Sequence, residues 1–250
     1  MSPLTPARLL DAWEEASAAG PAVRPLHLLR ATDPEHTLTE LEGEPLGRRD
    51  VRLGARRQWL AGPVGEATTT CPSCAEPVET SFDVRDLWPE DGAERADGPH
   101  RSGGSTEIEV AVDGFAVACR PLTTGDLAAA RAADDVEAFL FERSVVRAAH
   151  DGGPVAAASL PRAVRDAMEA ALAEADPCAD VVLSLACPGC GAAWRAPFDL
   201  ASFVWEEVDH AARRMLAEVD VLARAYGWRE PDILALSPWR RRRYLELAQA

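Results

Sequence analysis

The chain contains no lysine and no asparagine, so every one of its 26 strong bases is arginine. That absence excludes a P-loop lysine, a Schiff-base amine and a Ser-Lys dyad. Alanine and arginine are both abundant, as a GC-rich coding bias produces, so the preference for arginine carries little functional meaning. No apolar run approaches the roughly 20 residues of a membrane-spanning helix. Met1 to Ala19 lacks the basic start and apolar core of a secretory leader, so neither membrane insertion nor export is expected. Histidine is scarce. His27, His36, His100, His150 and His210 share no ligand spacing, and none adjoins a nucleophile motif.

What is present is an ordinary globular composition, 47% apolar over 250 residues, enough for one large or two small domains. Acids outnumber bases, giving a net charge of −15, which argues against nucleic acid as the main partner. Six cysteines suit a reducing cytoplasm. Cys119 and Cys178 are unpaired in pattern and read as small core fillers.

The other four form two knuckles, Cys71-Pro72-Ser73-Cys74 and Cys187-Pro188-Gly189-Cys190, built to one plan. Shifting the first by 116 places also lays Val78, Thr80, Phe82, Asp83 and Val84 on Trp194, Ala196, Phe198, Asp199 and Leu200. Strand-like runs precede each knuckle (Glu66 to Thr70, Val181 to Ala186), and alternating segments follow. Strand, CPxC turn, strand is half of a zinc ribbon. Four thiolates would close a tetrahedral shell around one structural Zn²⁺, with Cys71, Cys74, Cys187 and Cys190 as ligands. Closing so long a loop costs roughly 4 kcal/mol. Zinc binding at such sites contributes about 10–16 kcal/mol, enough to offset it. CPxC also suits a redox dithiol, but that chemistry places its second cysteine in a helix, whereas Pro77 and Pro197 interrupt these segments. Structural disulfides fit a secreted chain better than this one.

Taken in order, residues 1–64 read as helical, with Thr5-Pro6 opening a helix and another over Leu46 to Leu60. Arg48, Arg52 and Arg56 form one stripe, either a solvated face or a docking surface for an acidic partner. The split ribbon is 65–87 with 179–199, and 88–106 is a Gly-, Pro- and charge-rich flexible loop. Residues 107–178 read as an insertion with a hairpin turning at Asp113-Gly114 and two helices. One of these runs from Thr124 towards His150; Asp151 to Pro154 is a break, and the other opens at Ser159-Pro161. Residues 200–250 hold a long helix, a short one and a last one capped by Ser237-Pro238. The expected class is α+β, mostly helical, with the ribbon and inserted hairpin as its strands.

A closed thiolate shell leaves no position for substrate, and Thr123 to Asp126 reads as a helix cap rather than a phosphate loop, so no enzyme is expected. Arg240 to Arg243 could suggest a basic recognition helix. Consecutive residues splay by about 100°, however, so only about two of them would face one groove. Trp205, Trp228, Trp239 and Tyr244 read as core anchors.

The order of five stretches resembles a known family. They are the Leu46-Gly47-Arg48-Arg49 helix, CPSC with Phe82-Asp83, Arg120-Pro121-Leu122-Thr123-Thr124-Gly125-Asp126-Leu127, CPGCG with Trp194 and Phe198-Asp199-Leu200, and Tyr226-Gly227-Trp228 through Ile233 to Ser237 to Arg240–Leu245. From about residue 45 onward they are similar to bacterial proteins found with phage-like contractile tails and injection systems, described as akin to the baseplate hub assembly chaperones of T-even phages. The resemblance implies a cytoplasmic, non-enzymatic assembly factor or baseplate component that binds hub or spike proteins. Arg48, Arg52, Arg56, Trp228, Arg240, Arg241 and Arg243 would supply its contact surfaces. The rival expectation is a zinc-ribbon module binding nucleic acid or the transcription machinery; a redox dithiol protein comes third.

Overall fold

The computed structural model describes residues 4–88 and 107–249. Apart from Trp88, the stretch read as a flexible loop at 88–106 lies outside the described residues. Helices α1 (Pro6–Ala18), α2 (Arg24–Thr32), α3 (Leu38–Glu42) and α4 (Leu46–Ala61) lead into strands β1 (Val64–Thr70) and β2 (Pro77–Asp83). Strands β3 (Ile108–Val112) and β4 (Phe115–Cys119) precede α5 (Thr124–Ala130) and α6 (Val136–Ser144). Next come β5 (Val145–His150), β6 (Gly153–Pro154) and α7 (Arg162–Ala175). The described chain ends with β7 (Val182–Ala186), β8 (Ala193–Pro197), α8 (Leu200–Tyr226), α9 (Glu230–Leu234) and α10 (Pro238–Ala248). Helix outweighs strand, 54% against 19%, so the mixed α+β class holds. No helix among the described residues is long and apolar enough to cross a membrane.

The chain divides into two compact units, residues 1–38 with 201–250 and residues 39–200. The first unit is helical. Thr5 caps α1, its hydroxyl accepting the Arg8 amide at 3.3 Å, with Pro6 at the first helical position. Leu10 packs with Ala212, Met215 and Leu234, flanked by Leu9, Trp13 and Val219. Trp13 Nε1 donates to Asp209 at 2.8 Å, which satisfies the polar end of a half-buried indole. The stripe expected along α8 is buried at Leu200, Val204, Val208, Met215 and Leu222. Gly227, at φ 70°, ends the helix by donating to the Ala223 carbonyl at 2.8 Å, a conformation that favours glycine.

In the second unit β3, β4, β5 and β6 form one antiparallel sheet in that order. α7 packs Val164 and Met168, with Leu160 beside them, against Val110, Val117 and Cys119. Two expectations change here. The single helix from Thr124 towards His150 is two helices and a strand. Asp135 restarts the chain as α6 by accepting the Ala138 amide at 3.0 Å, and the β-branched pair Val145-Val146 then opens β5, Val145 facing Cys119 of β4 and Val146 falling at a register shift before Arg147 faces Ala118. The break at Asp151 is a second hairpin turn. Asp151-Gly152 (φ 49° and 81°) repeats the backbone of Asp113-Gly114 (49° and 81°), the left-handed pair of a type I′ turn. The insertion therefore carries four strands and three helices, against one hairpin and two helices expected.

Asp126, 1% exposed, ties α5 to α6. Arg120 Nη1 and Nη2 donate to its two oxygens at 2.7 and 2.9 Å, Arg143 Nε donates at 2.9 Å, and the Thr123 amide at 3.0 Å. Burial alone would raise this carboxyl, but those donors hold it well below the usual carboxylate range.

α4 sits in this second unit rather than in an N-terminal helical region. Its first turn is capped from far along the chain, the Gly47 amide donating to Asp176 Oδ2 at 3.0 Å. A Cβ on Gly47 would fall 2.1 Å from Asp176 Oδ1 and 2.7 Å from the Ala179 nitrogen. The arginine stripe also needs correction. Arg52 is 5% exposed and its Nη1 donates to buried Glu44 at 2.5 Å; Arg48 lies 4.0 Å from the same carboxylate. Arg56 is half-buried and engaged within the chain. A buried carboxylate demands a cation beside it, so the Arg48–Arg52 part of the stripe is committed to an internal ion-pair network around Glu44. Arg49 is buried too, donating to Asp50 at 2.7 Å and to Thr124 at 3.3 Å. Burial nevertheless pushes the Asp50 and Asp176 carboxyls up, against the pull of Arg49 and of the Gly47 amide respectively.

Candidate metal centre

β1 with β2, and β7 with β8, are two-stranded antiparallel hairpins, each turning through one cysteine knuckle. Their registers coincide under the 116-residue shift: Thr70 faces Pro77 at the base of the first turn as Ala186 faces Ala193 in the second. Inside each knuckle the hydrogen bonds also repeat. Cys71 donates to the Glu76 carbonyl and Ala75 to the Cys71 carbonyl, both at 2.9 Å; Cys187 to Ala192 and Gly191 to Cys187 do the same at 2.9 Å. The residue after each second cysteine is left-handed, Ala75 at φ 61° and Gly191 at φ 75°.

The turns meet. All four sulfurs lie within 4.8 Å of one another, Cys71 and Cys190 at 3.7 Å and Cys74 and Cys187 at 3.6 Å. A tetrahedron of thiolates about 2.3 Å from a central ion has edges of about 3.8 Å, so these separations suit one four-coordinate metal. The two short pairs exchange under the shift, and Phe82 meets its own counterpart Phe198 edge-on at 4.9 Å between ring centres. Equivalent positions of the two hairpins thus meet both at the thiol cluster and at the aromatic pair.

Burial is asymmetric within each knuckle. Cys71 and Cys187 are buried while Cys74 and Cys190 are exposed. The apolar support is thin: Cys71, Val78 and Cys187, with Ala192 and Trp194 alongside. The cluster's charge is steered by its own backbone. Foremost the Cys74 amide, then that of Ser73 (3.4 Å), donates to the Cys71 sulfur, and with the Cys74 and Cys190 thiols they lower it to about 7 against desolvation. Cys74 receives the Glu76 amide, yet the Cys190 thiol, desolvation and the thiols of Cys71 and Cys187 push it up to about 12. Four thiols this close cannot all ionise unaided; a cation that takes up the charge drives the protons off.

Ala75 holds a backbone that L side chains adopt at a cost of roughly 1–2 kcal/mol. Ala75→Gly is expected to raise the melting temperature by about 2–4 °C per kcal/mol relieved, read by a thermal scan beside the wild type. An unchanged or lower melting temperature would show that this turn is unstrained.

The four sequence-read cysteines are thus brought together. The other candidate positions separate. Arg52 is internal, as described above. In the first unit Arg241 is buried and its Nε donates to Glu218 at 2.7 Å, so it is a structural ion pair and no contact residue. Arg240 and Arg243 are exposed, and Trp228 is half-buried in a trio with Tyr226 (4.8 Å) and Tyr244 (4.8 Å). Trp239, read as a core anchor, is 75% exposed. The signal was present: Ser237 caps α10 and places Trp239 in its first turn, between Pro238 and Arg240. No protein family, curated protein or solved structure matches the chain.

Proposed function

We propose that Cys71, Cys74, Cys187 and Cys190 hold one structural Zn²⁺, and that the two hairpins form a split zinc ribbon. The observation that carries this is the thiol geometry, with the short sulfur pairs at 3.7 and 3.6 Å drawn from two hairpins of matched register. Four sulfur donors favour zinc over harder cations. A shell closed by four thiolates has no position for water or substrate, so the ion acts as a clasp rather than as a Lewis acid. The amides of Ser73 and Cys74 that reach Cys71 would partly balance the excess negative charge of such a site.

On this reading the protein is a non-enzymatic, cytoplasmic assembly factor or baseplate-associated component of a phage-tail-like contractile machine, acting through protein–protein contacts. The resemblance of the Tyr226-Gly227-Trp228 to Arg240–Leu245 stretch supports the setting, and the free thiols suit a reducing compartment. Two measurements test it. Elemental analysis of purified protein is expected to give one zinc per chain; a folded, metal-free protein overturns the clasp. Pull-down with proteins encoded beside it is expected to retain a tail or hub component. No partner, together with normal particles in a deletion strain, overturns the setting.

A further inference from the structure

The last helix is divided by exposure in an unusual sense. At 100° per residue, Arg241, Tyr244, Leu245 and Ala248 share one side of α10, and all are buried or half-buried. The opposite arc carries Arg242, Glu246, Trp239, Arg243, Leu247 and Arg240 in that order around the helix, and all six are exposed. Trp239 stands near the middle of this outer face at 75% exposure, and Leu247 on the same side at 58%. The largest apolar side chain of the helix thus faces outward, among cations.

The inner side explains why the outer one is steady. Arg241 is anchored to Glu218 on α8 at 2.7 Å. Tyr244 closes the aromatic trio, 4.8 Å from Trp228 and 5.8 Å from Tyr226. The outer side chains are therefore displayed on a pre-positioned helix, which lowers the ordering cost of binding.

Charge points to the occupant. The chain has 41 acids against 26 arginines, with the surplus concentrated in residues 39–200. Among the described residues neither Arg240 nor Arg242 has an ion pair, so both guanidinium groups face solvent uncompensated, while Arg243 pairs with Glu246 at 2.6 Å. Exposed tryptophan flanked by arginine is the composition that dominates binding energy at protein interfaces. Glu246, inside the same arc, opposes a continuous polyanion such as a phosphate backbone. It leaves room for discrete carboxylates on either side.

We propose that the outer face of α10 is a docking site for an acidic protein segment with an apolar anchor. The anchor packs on Trp239 and Leu247, and its carboxylates pair with Arg240 and Arg242. This deepens the reading above, on which it rests, by naming the chemistry of the partner.

The test uses the full-length protein and a fluorescein-labelled peptide alternating Asp-Glu pairs with leucine, read by anisotropy. The comparison probes are its Asn-Gln analogue, a single-stranded oligonucleotide of equal charge and phosphatidylglycerol vesicles. Saturable binding of the acidic peptide is expected, weakened about tenfold or more by Trp239→Ala and by the Arg240→Gln/Arg242→Gln pair, and absent with the Asn-Gln analogue. These side chains face solvent, and unchanged circular dichroism confirms that each variant folds. Three results overturn the proposal: no saturable peptide binding, equal affinity in the variants, or tighter binding of the oligonucleotide or vesicles that the same substitutions abolish. Peptide binding without any tail partner in pull-downs would sink only the setting. A tail partner retained by the variants as well as by the wild type would sink only this surface.

Discussion

Removing the metal, by a strong chelator or by Cys187→Ser, is expected to lower the melting temperature by about 10–20 °C, with the amides of β1, β2, β7 and β8 losing hydrogen-exchange protection first. The magnitude follows from what else holds the ribbon. Isolated two-stranded hairpins are marginal in water, and among the described residues the buried apolar cluster at the knuckles is Cys71, Val78 and Cys187. Two of those three are themselves ligands. A structural zinc contributes about 10–16 kcal/mol in peptide hosts, against roughly 4 kcal/mol to close the intervening loop. Losing even about 5 kcal/mol of that surplus gives the shift stated, at 2–4 °C per kcal/mol for a chain of this size. Acid works in the same direction. Thiolates bind the metal only when deprotonated, so falling pH releases it and the stability it supplies. Chelation that leaves both the melting curve and the ribbon amides unchanged would refute the clasp. Cys119→Ser serves as the control, because that thiol lies in the sheet core away from the knuckles.

The second large effect is expected at Gly47→Ala, a loss of about 3–5 kcal/mol. A methyl there would overlap Asp176 Oδ1 at 2.1 Å, the Ala179 nitrogen at 2.7 Å and the Cys178 carbonyl carbon at 2.8 Å. Two of these are backbone atoms and cannot rotate away. Relief requires moving the start of α4 off the end of α7. That breaks the Gly47–Asp176 hydrogen bond and leaves a carboxylate that is already costly to bury without its donor. Denaturant titration reads the loss. Gly62→Ala tests strain of a different kind, since nothing lies within 4 Å of its added Cβ but its φ is 84°. If Gly47→Ala melts like the wild type, the helix cap is not the tight joint described.

Much of this was legible in the sequence because it is local. The cap at Thr5-Pro6, the turn at Asp113-Gly114, the stripe on α8 and Gly227 at its end all follow from neighbouring residues. The four-thiol cluster was legible for another reason. A duplicated pattern betrays its partner at any distance, so Cys71-Pro-Ser-Cys74 could be matched to Cys187-Pro-Gly-Cys190 across the insertion. What was missed depends on single residues far apart in the chain. Nothing near Arg52 says that Glu44 will be buried beside it; periodicity alone made a surface stripe of an internal ion pair. Nor does Gly47 announce Asp176. The helix expected through to His150 failed because apolar spacing at Val136, Phe139 and Leu140 was carried past the β-branched pair Val145-Val146. There the second Asp-Gly turn should have arbitrated. Trp239 was misplaced by a general habit of tryptophan, which its position in the first turn of α10 overrides.

The two halves of the thiol cluster leave the ribosome at different times. The pairs Cys74–Cys187 and Cys71–Cys190 are separated by 113 and 119 positions. At 5–20 residues per second the first knuckle therefore waits about 6–24 s for its mate. During that interval it can offer an ion only two sulfurs. The sheet from β3 to β6 and the helix α7 are wholly synthesised before the second knuckle emerges, so they can collapse first and shorten the span to be bridged. On the clasp proposed above, ion capture then becomes the closing step of biogenesis, one that starvation for the metal would stall with the central sheet already formed.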